Sequence, residues 1–237
     1  MKELEIKGFI ETSFLDWDGH IVSVVFLPYC NFRCPFCHNA GLIENSDTYE
    51  TIPVKKVFDF LLSHKDFIDG VCITGGEPCL HKELGLLAFL QEIKKMGFKI
   101  KLDTNGCDPE FLKKIIEDKL IDFVAMDLKE PLDERYSKIA GAEINLDKIN
   151  QSVKILMGEK VAYEFRTTVV PTLLEEEDIL DIAKQIKGAQ RFVLQQFVPK
   201  NCLDERLRDI KPYPKEKLEA ILLKIKQYVS NAFLRGA

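Results

Sequence analysis

The sequence predicts an α/β fold in which six strand–helix units form a partial (β/α)6 barrel with parallel strands. Three observations lead to this prediction. Short β-branched runs alternate along the chain with longer segments of helical periodicity. Repeated strand–helix–strand order favours parallel strands joined by right-handed crossovers. A complete eight-unit barrel of the TIM type needs about 250 residues, whereas this chain has 237 residues, so an incomplete barrel is expected.

The elements follow from local patterns. The predicted strands are Ile21 to Leu27, Gly70 to Thr74, Phe98 to Asp103, Ile121 to Asp127, Tyr163 to Val170 and Arg191 to Val198. The predicted helices lie at Val54 to Leu62, Leu84 to Met96, Glu110 to Ile116, Leu146 to Met157, Ile179 to Ile186 and Lys215 to Val229. Asp108 and Pro109 supply an N-cap and a first-turn proline, and the acidic run from Glu175 to Asp178 is expected to form a solvated first turn.

We expect one domain over residues 1–237, because no repeat, low-complexity tract or flexible linker interrupts the chain. Residues 1–20 form an N-terminal extension in this prediction, residues 21–200 the core and residues 213–230 a C-terminal helix.

The composition excludes several classes of protein. With 46% hydrophobic and 30% charged residues, the chain is typical of a soluble globular protein, and it has no uncharged apolar run long enough for a membrane span. A net charge of −5 argues against nucleic-acid binding. The N-terminal residues Met1 to Lys7 carry acidic side chains and no apolar stretch, which predicts a cytoplasmic protein. In that compartment, seven cysteines indicate metal binding or redox chemistry and not disulfides.

Three of these cysteines follow the first predicted strand, in the segment Pro28 to Asn39. Cys30, Cys34 and Cys37 have the spacing C-x3-C-x2-C, and thiolates are the ligands that iron–sulfur clusters and zinc prefer. A [4Fe–4S] cluster with three cysteine ligands leaves one iron open to a substrate or cofactor. This interpretation is favoured.

Other interpretations of the same residues remain. Zinc bound with the help of His38 is one of them, although adjacent Cys37 and His38 would be a poor pair for one tetrahedral ion. Dithiol redox chemistry would leave Cys30 without a role, and a c-type haem attachment requires export.

Polar motifs also occur where the other predicted strands end. These are Gly75-Gly76-Glu77-Pro78, Asp103-Thr104-Asn105-Gly106, Asp127 with Lys129, Arg166, and Gln195-Gln196. The glycines suit either a turn or the close approach of backbone to a ligand. Asp127 and Lys129 point the same way from a strand, so a structural ion pair is the alternative to a binding role. An inward-facing Arg166 needs a carboxylate or phosphate partner. In an α/β fold these strand ends share one edge, which predicts a polar crevice there.

Together, the C-x3-C-x2-C loop and Gly75 to Pro78 resemble the radical S-adenosylmethionine (SAM) superfamily. Within it, the sequence is similar to the activating enzymes of glycyl radical enzymes, and most similar to the anaerobic ribonucleoside-triphosphate reductase activating proteins. The residues behind the finer resemblance are Cys37 to Asn39, Asp103 to Gly106, Ala125 to Lys129, Tyr163 to Pro171 and Leu194 to Phe197.

The resemblance implies the roles of individual residues. Cys30, Cys34 and Cys37 would hold one [4Fe–4S] cluster, and Gly75, Gly76, Glu77 and Pro78 would bind the methionine amine of SAM. Phe36 and His38 would line the adenine. Asp103, Thr104, Asn105, Asp127, Lys129, Arg166 and Gln196 would complete the SAM site, with room for a monovalent cation. Reductive cleavage of SAM would produce a 5′-deoxyadenosyl radical.

The implied partners are a glycyl radical enzyme, from which a glycine hydrogen is removed, and a flavodoxin- or ferredoxin-type electron donor. Anaerobic ribonucleotide reductase is the expected substrate protein. An alternative is a radical SAM enzyme that acts on a small heterocycle, and a non-enzymatic zinc module is the third. The isolated cysteines Cys72, Cys79, Cys107 and Cys202 are interpreted as structural, although Cys79 follows Pro78 where relatives tend to have Thr or Leu.

Overall fold

The computed structural model describes residues 4–158 and 160–236. The chain divides into two compact units. The first comprises Met1–Asn31, Gly41–Thr104 and Asp108–Val124, and the second comprises Phe32–Ala40, Asn105–Cys107 and Ala125–Ala237. The single-domain organisation stays a prediction.

The first unit is a sheet flanked by helices. Its strands are β1 (Gly8–Ser13), β2 (Val22–Leu27), β3 (Gly70–Gly75) and β4 (Lys99–Thr104). β1 pairs with β2 antiparallel, whereas β2, β3 and β4 pair in parallel, with Leu27 opposite Gly75. Its helices are α1 (Ala40–Glu44, which ends in this unit), α2 (Val54–Ser63), α3 (Leu87–Met96) and α4 (Pro109–Glu117). Because the parallel strands start and end together, β2, β3 and β4 place their carboxyl ends at one edge.

Several predictions for this unit are confirmed and two need correction. Asp108 caps α4 by accepting a 3.1 Å hydrogen bond from the backbone of Phe111, as its position predicts. The predicted helix from Leu84 begins only at Leu87, because Gly85 has a φ of +100° and a short irregular turn (Lys82–Leu86) precedes it. Strand β1 falls in the predicted N-terminal extension. It was missed because an antiparallel edge strand lacks the following helix on which the prediction relied.

In the second unit the strands are also parallel. β5 (Phe123–Asp127) begins in the first unit and ends in this one, and β6 (Ala162–Val169), β7 (Phe192–Gln196) and β8 (Ala232–Arg235) follow. β6 pairs with β7, and β7 with β8, in parallel. The helices are α5 (Tyr136–Ala140), α6 (Leu146–Met157), α7 (Glu176–Gln185) and α8 (Lys215–Ile225).

The six predicted strands and the α/β class are confirmed, and α8 is shorter than the predicted C-terminal helix. The acidic run from Glu175 forms a capping box and the first turn of α7, as expected. β8 was missed because a run of four residues carries little pattern of its own.

The described helices include none that is both long and apolar enough to cross a lipid bilayer. The N-terminal segment Met1 to Lys7, from which a cytoplasmic protein was predicted, lies in part outside the described residues, because these begin at residue 4.

Candidate functional site

The loop that carries the first predicted cluster ligand leaves the end of β2. Pro28 and Tyr29 lead from Leu27 to Cys30, and Tyr29 adopts a φ of 61°, a left-handed conformation that is uncommon for a non-glycine residue. Its amide donates a 3.0 Å hydrogen bond to the carbonyl of Leu42. The chain direction just before Cys30 is therefore set by a constrained turn.

Gly75 and Gly76 pack against this turn through their backbones. The Gly76 amide donates to the Leu27 carbonyl and the Glu77 amide to the Tyr29 carbonyl, both at 2.8 Å. A Cβ atom on Gly76 would lie 1.8 Å from the Tyr29 carbonyl oxygen, and one on Gly75 would lie 2.3 Å from that of Leu27. The glycines thus permit one loop to touch another, whatever further contact they make with a ligand.

Glu77 and Thr104 are joined in a buried hydrogen-bond network. Glu77 Oε1 accepts from the Thr104 hydroxyl at 2.7 Å and from the Cys79 amide at 3.0 Å. Cys79 is buried, and its Sγ lies 3.6 Å from Thr104 Oγ1. The Thr104 hydroxyl, predicted to lie near the SAM carboxylate, orients Glu77 in this structure; its place near SAM stays a prediction. Cys79 packs inside the same network, in keeping with a structural thiol.

Asp103 carries an ion pair that sequence reasoning missed. Lys101 Nζ lies 2.5 Å from Asp103 Oδ1, and the lysine side chain is buried. Thr74 donates to Asp103 Oδ2 at 3.3 Å. The sequence contained a sign of this pair, because residues 101 and 103 of a strand point to the same face, where two opposite charges can meet.

The second unit contains Cys34 and Cys37. The Cys37 amide donates to the Cys34 carbonyl at 3.0 Å, so the two cysteines share one tight turn. This turn is anchored on both sides, by Arg33 N to Ala140 O at 2.7 Å and by Asp204 N to Pro35 O at 2.9 Å. Burial raises the pKa of the Cys34 thiol to about 11, although the nearby Lys129 charge opposes the rise. Burial also raises the pKa of Cys37.

Asp127, Lys129 and Arg166 form one charged group in this unit. Asp127 Oδ1 lies 2.7 Å from Arg166 Nε, and Oδ2 lies 2.8 Å from Lys129 Nζ. Burial alone would raise the pKa of Asp127, but the charges of Arg166 and Lys129 outweigh it and hold that pKa well below its usual range. Burial alone would lower the pKa of Lys129, but Asp127 more than compensates and raises it. A carboxylate or phosphate partner was predicted for Arg166, and in the structure it is the Asp127 carboxylate. The structural ion pair between Asp127 and Lys129 is also present.

Of the residues predicted to line the adenine, Phe36 lies near Lys129, and His38 lies near the residues that follow β7. Lys129 Nζ lies 5.9 Å from the centre of the Phe36 ring. His38 Nε2 lies 2.8 Å from the Val198 carbonyl, and its ring is nearly parallel to that of Phe197.

Asn105 and Gln196 complete the predicted set. Asn105 Oδ1 accepts from the Cys107 amide at 3.0 Å, which fixes the turn after β4. Gln196 donates to the Tyr213 carbonyl at 2.9 Å, while its buried Oε1 has no hydrogen-bond partner. A buried amide oxygen without a donor is costly, so a donor supplied by a ligand would improve this site.

The predicted site residues therefore fall into two groups. The first unit contains Cys30, Gly75, Gly76, Glu77, Pro78, Asp103 and Thr104, and the second contains Cys34, Phe36, Cys37, His38, Asn105, Asp127, Lys129, Arg166 and Gln196. Of the isolated cysteines, Cys72, Cys79 and Cys202 are buried, whereas Cys107 is only half-buried.

The candidate metal ligands are thiols, which iron–sulfur clusters and zinc both prefer. Within residues 4–158 and 160–236, no three His, Cys, Asp or Glu side chains are arranged to hold a single metal ion. Cys34, protonated when free, would release its proton on binding iron. Three thiols suit a cluster with one open iron.

Comparison with known protein families identifies the superfamily of this chain. The profile of the Radical SAM superfamily matches residues 24–186, which include all three cysteines and Gly75 to Pro78. The chain belongs to the radical SAM superfamily. Radical SAM proteins are enzymes, so the non-enzymatic zinc module is excluded.

Two radical SAM relatives match this chain over most of its length. A protein of Methanocaldococcus jannaschii, named "Putative glycyl-radical enzyme activating enzyme", is 37% identical over 242 residues, 99% of this chain and 97% of the relative. The pyruvate formate-lyase-activating enzyme of Clostridium pasteurianum is 30% identical over 213 residues, 83% of this chain and 87% of the relative. The chain is therefore homologous to activating enzymes of glycyl radical enzymes.

Among solved structures, SuiB of Streptococcus suis aligns with a TM-score of 0.67 at 19% sequence identity. The alignment covers 91% of this chain and 49% of SuiB, so the chain spans about half the length of that protein. This likeness concerns the fold alone, and it confirms the predicted α/β fold of the radical SAM core, a partial TIM-like barrel.

Proposed function

We propose that this chain is an activase that removes a hydrogen atom from a backbone glycine of a partner glycyl radical enzyme. The observation that carries the proposal is the whole-length similarity to two activating enzymes. The cysteine loop and the charged group of Asp127, Lys129 and Arg166 support it. The same similarity favours a protein substrate over the small heterocycle considered above.

In this proposal, Cys30, Cys34 and Cys37 hold one [4Fe–4S] cluster. Gly75, Gly76, Glu77 and Pro78 receive the methionine end of SAM, and Phe36 and His38 line the adenine. When bound, the cluster and SAM would supply the one-electron reductive cleavage chemistry by which a hydrogen atom is taken from the partner's glycine.

Lys129 and Arg166 supply positive charge to the candidate site residues of the second unit. The Lys129 charge lowers the pKa of Cys34, against the effect of burial, and so favours the thiolate that binds iron. Asp127 keeps both cations in place through hydrogen bonds of 2.7 and 2.8 Å. The orientation of these charges is thus built before any ligand binds, which reduces the cost of ordering them.

A monovalent cation does not fit the carboxylates as they stand. Asp103 is paired with the buried ammonium group of Lys101, and both Asp127 oxygens are paired with Lys129 and Arg166. A further cation at either carboxylate would face a positive side chain at close range. The proposed function therefore includes no step that needs one.

The partner we propose is anaerobic ribonucleotide reductase. The motifs Asp103 to Gly106 and Ala125 to Lys129 support this choice through their resemblance to the activating proteins of that enzyme. A flavodoxin or ferredoxin would deliver the electron. A cytoplasmic location is part of the same proposal.

The first experiment tests the radical chemistry. Protein reconstituted anaerobically with iron and sulfide should bind about four irons per chain and, with dithionite, convert SAM into 5′-deoxyadenosine. Cys30→Ala should lose this conversion. Cys72→Ala is the matched control, because Cys72 is a buried cysteine whose Sγ contacts the Asp16 carbonyl in the first unit. Full SAM cleavage by Cys30→Ala would contradict the assignment of the ligands.

A second experiment tests the partner. The reduced protein is mixed with SAM and either anaerobic ribonucleotide reductase or pyruvate formate-lyase, and electron paramagnetic resonance is recorded. A glycyl doublet with the reductase supports the proposed partner. A doublet with the lyase alone would keep the activase and replace its partner, and SAM cleavage without a doublet in either mixture would contradict the proposal.

A further inference from the structure

His81 is buried at 1% exposure in the first unit, at the end of the short 3₁₀ turn (Pro78–His81) that follows the two glycines. Its Nε2 lies 2.7 Å from the Pro28 carbonyl oxygen, 53 residues away in the chain. A carbonyl can only accept a hydrogen bond, so Nε2 must carry the proton. The other ring nitrogen, Nδ1, is buried and has no hydrogen-bond partner. Burial lowers the pKa of His81, in keeping with a neutral ring.

The contact completes a row of three. The carbonyls of Leu27, Pro28 and Tyr29 accept in turn from Gly76 N, His81 Nε2 and Glu77 N. These are the last three carbonyls before Cys30. Two of the three donors are backbone amides, and only the middle donor belongs to a side chain. The His81 ring is also nearly parallel to the Tyr29 ring, with 6.3 Å between centroids.

We propose that His81 is a positioning residue that fixes the cluster loop at Cys30 against the segment that receives the methionine end of SAM. The inference rests on the proposed function for the roles of Cys30 and of Gly75 to Pro78. His81 touches neither the cluster nor SAM. It holds the Pro28 carbonyl, two residues before Cys30, and thereby maintains the backbone geometry that relates the ligand to Gly76 and Glu77.

The test compares two variants. His81→Gln keeps an N–H donor close to the position of Nε2, whereas His81→Leu has a similar volume and no donor. In metal-free protein, amide hydrogen exchange at Gly76 and Glu77 reports on the row of hydrogen bonds without any cluster. Loss of one buried hydrogen bond should accelerate this exchange roughly three- to tenfold in His81→Leu. His81→Gln should remain near the wild-type rate.

The reconstituted proteins provide the second readout. We expect the SAM-induced change in the electron paramagnetic resonance spectrum of the reduced cluster to be lost in His81→Leu and restored in His81→Gln. Unchanged exchange and an unchanged SAM response in His81→Leu would overturn the proposal, as would equal defects in both variants.

Nitrogen NMR of the wild-type ring covers the case in which His81→Leu does not fold. A proton on Nε2 supports the proposed hydrogen bond, and a proton on Nδ1 alone overturns it. The exchange and NMR readouts are independent of the proposed function. If the wild-type protein fails to cleave SAM, the proposed activase function is contradicted. The exchange and NMR measurements would still decide whether His81 forms the hydrogen bond to Pro28.

Discussion

Replacement of Gly76 by alanine is a direct test of the contact between the two loops. The new Cβ would lie 1.8 Å from the Tyr29 carbonyl oxygen, whereas ordinary contacts begin at 3.4 Å. The obstacle is backbone and not a flexible side chain, so one loop has to move. Movement would break the hydrogen bonds from Gly76 to Leu27 and from Glu77 to Tyr29, both 2.8 Å long.

The expected cost follows from these losses. Two hydrogen bonds contribute a net 0.5–1.5 kcal/mol each, and overpacking adds about 1–3 kcal/mol. Gly76→Ala should therefore lower the free energy of unfolding by about 2–6 kcal/mol, which for a protein of this size shifts Tm by roughly 4–24 °C. Thermal unfolding of the metal-free protein measures this change, and iron content after reconstitution shows whether the cluster loop is still formed. We expect iron binding to fall well below that of the wild type.

Gly19→Ala is the matched control. Gly19 has a positive φ of +77°, unlike Gly76, and a Cβ at Gly19 would have no heavy atom within 4 Å. Its substitution should cost only the roughly 1–2 kcal/mol of a left-handed alanine and should leave iron binding intact. If Gly76→Ala unfolds at the wild-type temperature and binds four irons, the steric argument is refuted, as it is if both variants behave alike.

Three further variants test individual charges and thiols. Asp127→Asn should lose about 2–4 kcal/mol, because Lys129 and Arg166 would face each other without their shared carboxylate. The low pKa of Asp127 stabilises the fold above about pH 4. As the pH falls below 4, the free energy of unfolding in urea should therefore change less in the variant than in the wild type. An equal pH dependence in the two proteins would show that Asp127 is not the responsible group. Burial raises the pKa of Glu130 to about 7, so wild-type stability should fall as pH rises from about 4.5 through 7. Glu130→Gln should remove that fall in thermal melts at pH 5 and 8, and an unchanged fall would assign it to another group. Cys79→Ala should keep full iron content and SAM cleavage at a cost of about 1–2 kcal/mol, whereas loss of iron would show that Cys79 is a ligand.

The local parts of the fold could be predicted from sequence. Alternating runs located the six strands from β2 to β7, and Asp108 with Pro109 located the start of α4, because each signal lies within a few neighbouring residues. The short β8 was missed, since its place is set by pairing with β7 and not by its own pattern.

The candidate site divides in the same way. The spacing of Cys30, Cys34 and Cys37 is local, and residue type and spacing are enough to predict the donor set. The partner of Arg166 was predicted only as a carboxylate or a phosphate, and the fold identifies it as Asp127, 39 residues earlier. His81 received no role from sequence, because its partner lies 53 residues away and a single histidine carries no pattern.

The sequence alone specified the chemistry of this protein: three thiols on one loop, two glycines after a strand, and charged residues at strand ends. These features depend on residue type and short spacing, which the chain displays directly. Tertiary structure decided how those residues are used. Thr104 orients Glu77, Lys101 neutralises Asp103 and His81 holds the carbonyl before the cluster loop. Each of these contacts is a buried hydrogen bond or ion pair whose geometry depends on the folded backbone, and only the folded chain brings Thr104 to Glu77 and His81 to Pro28 within hydrogen-bond distance.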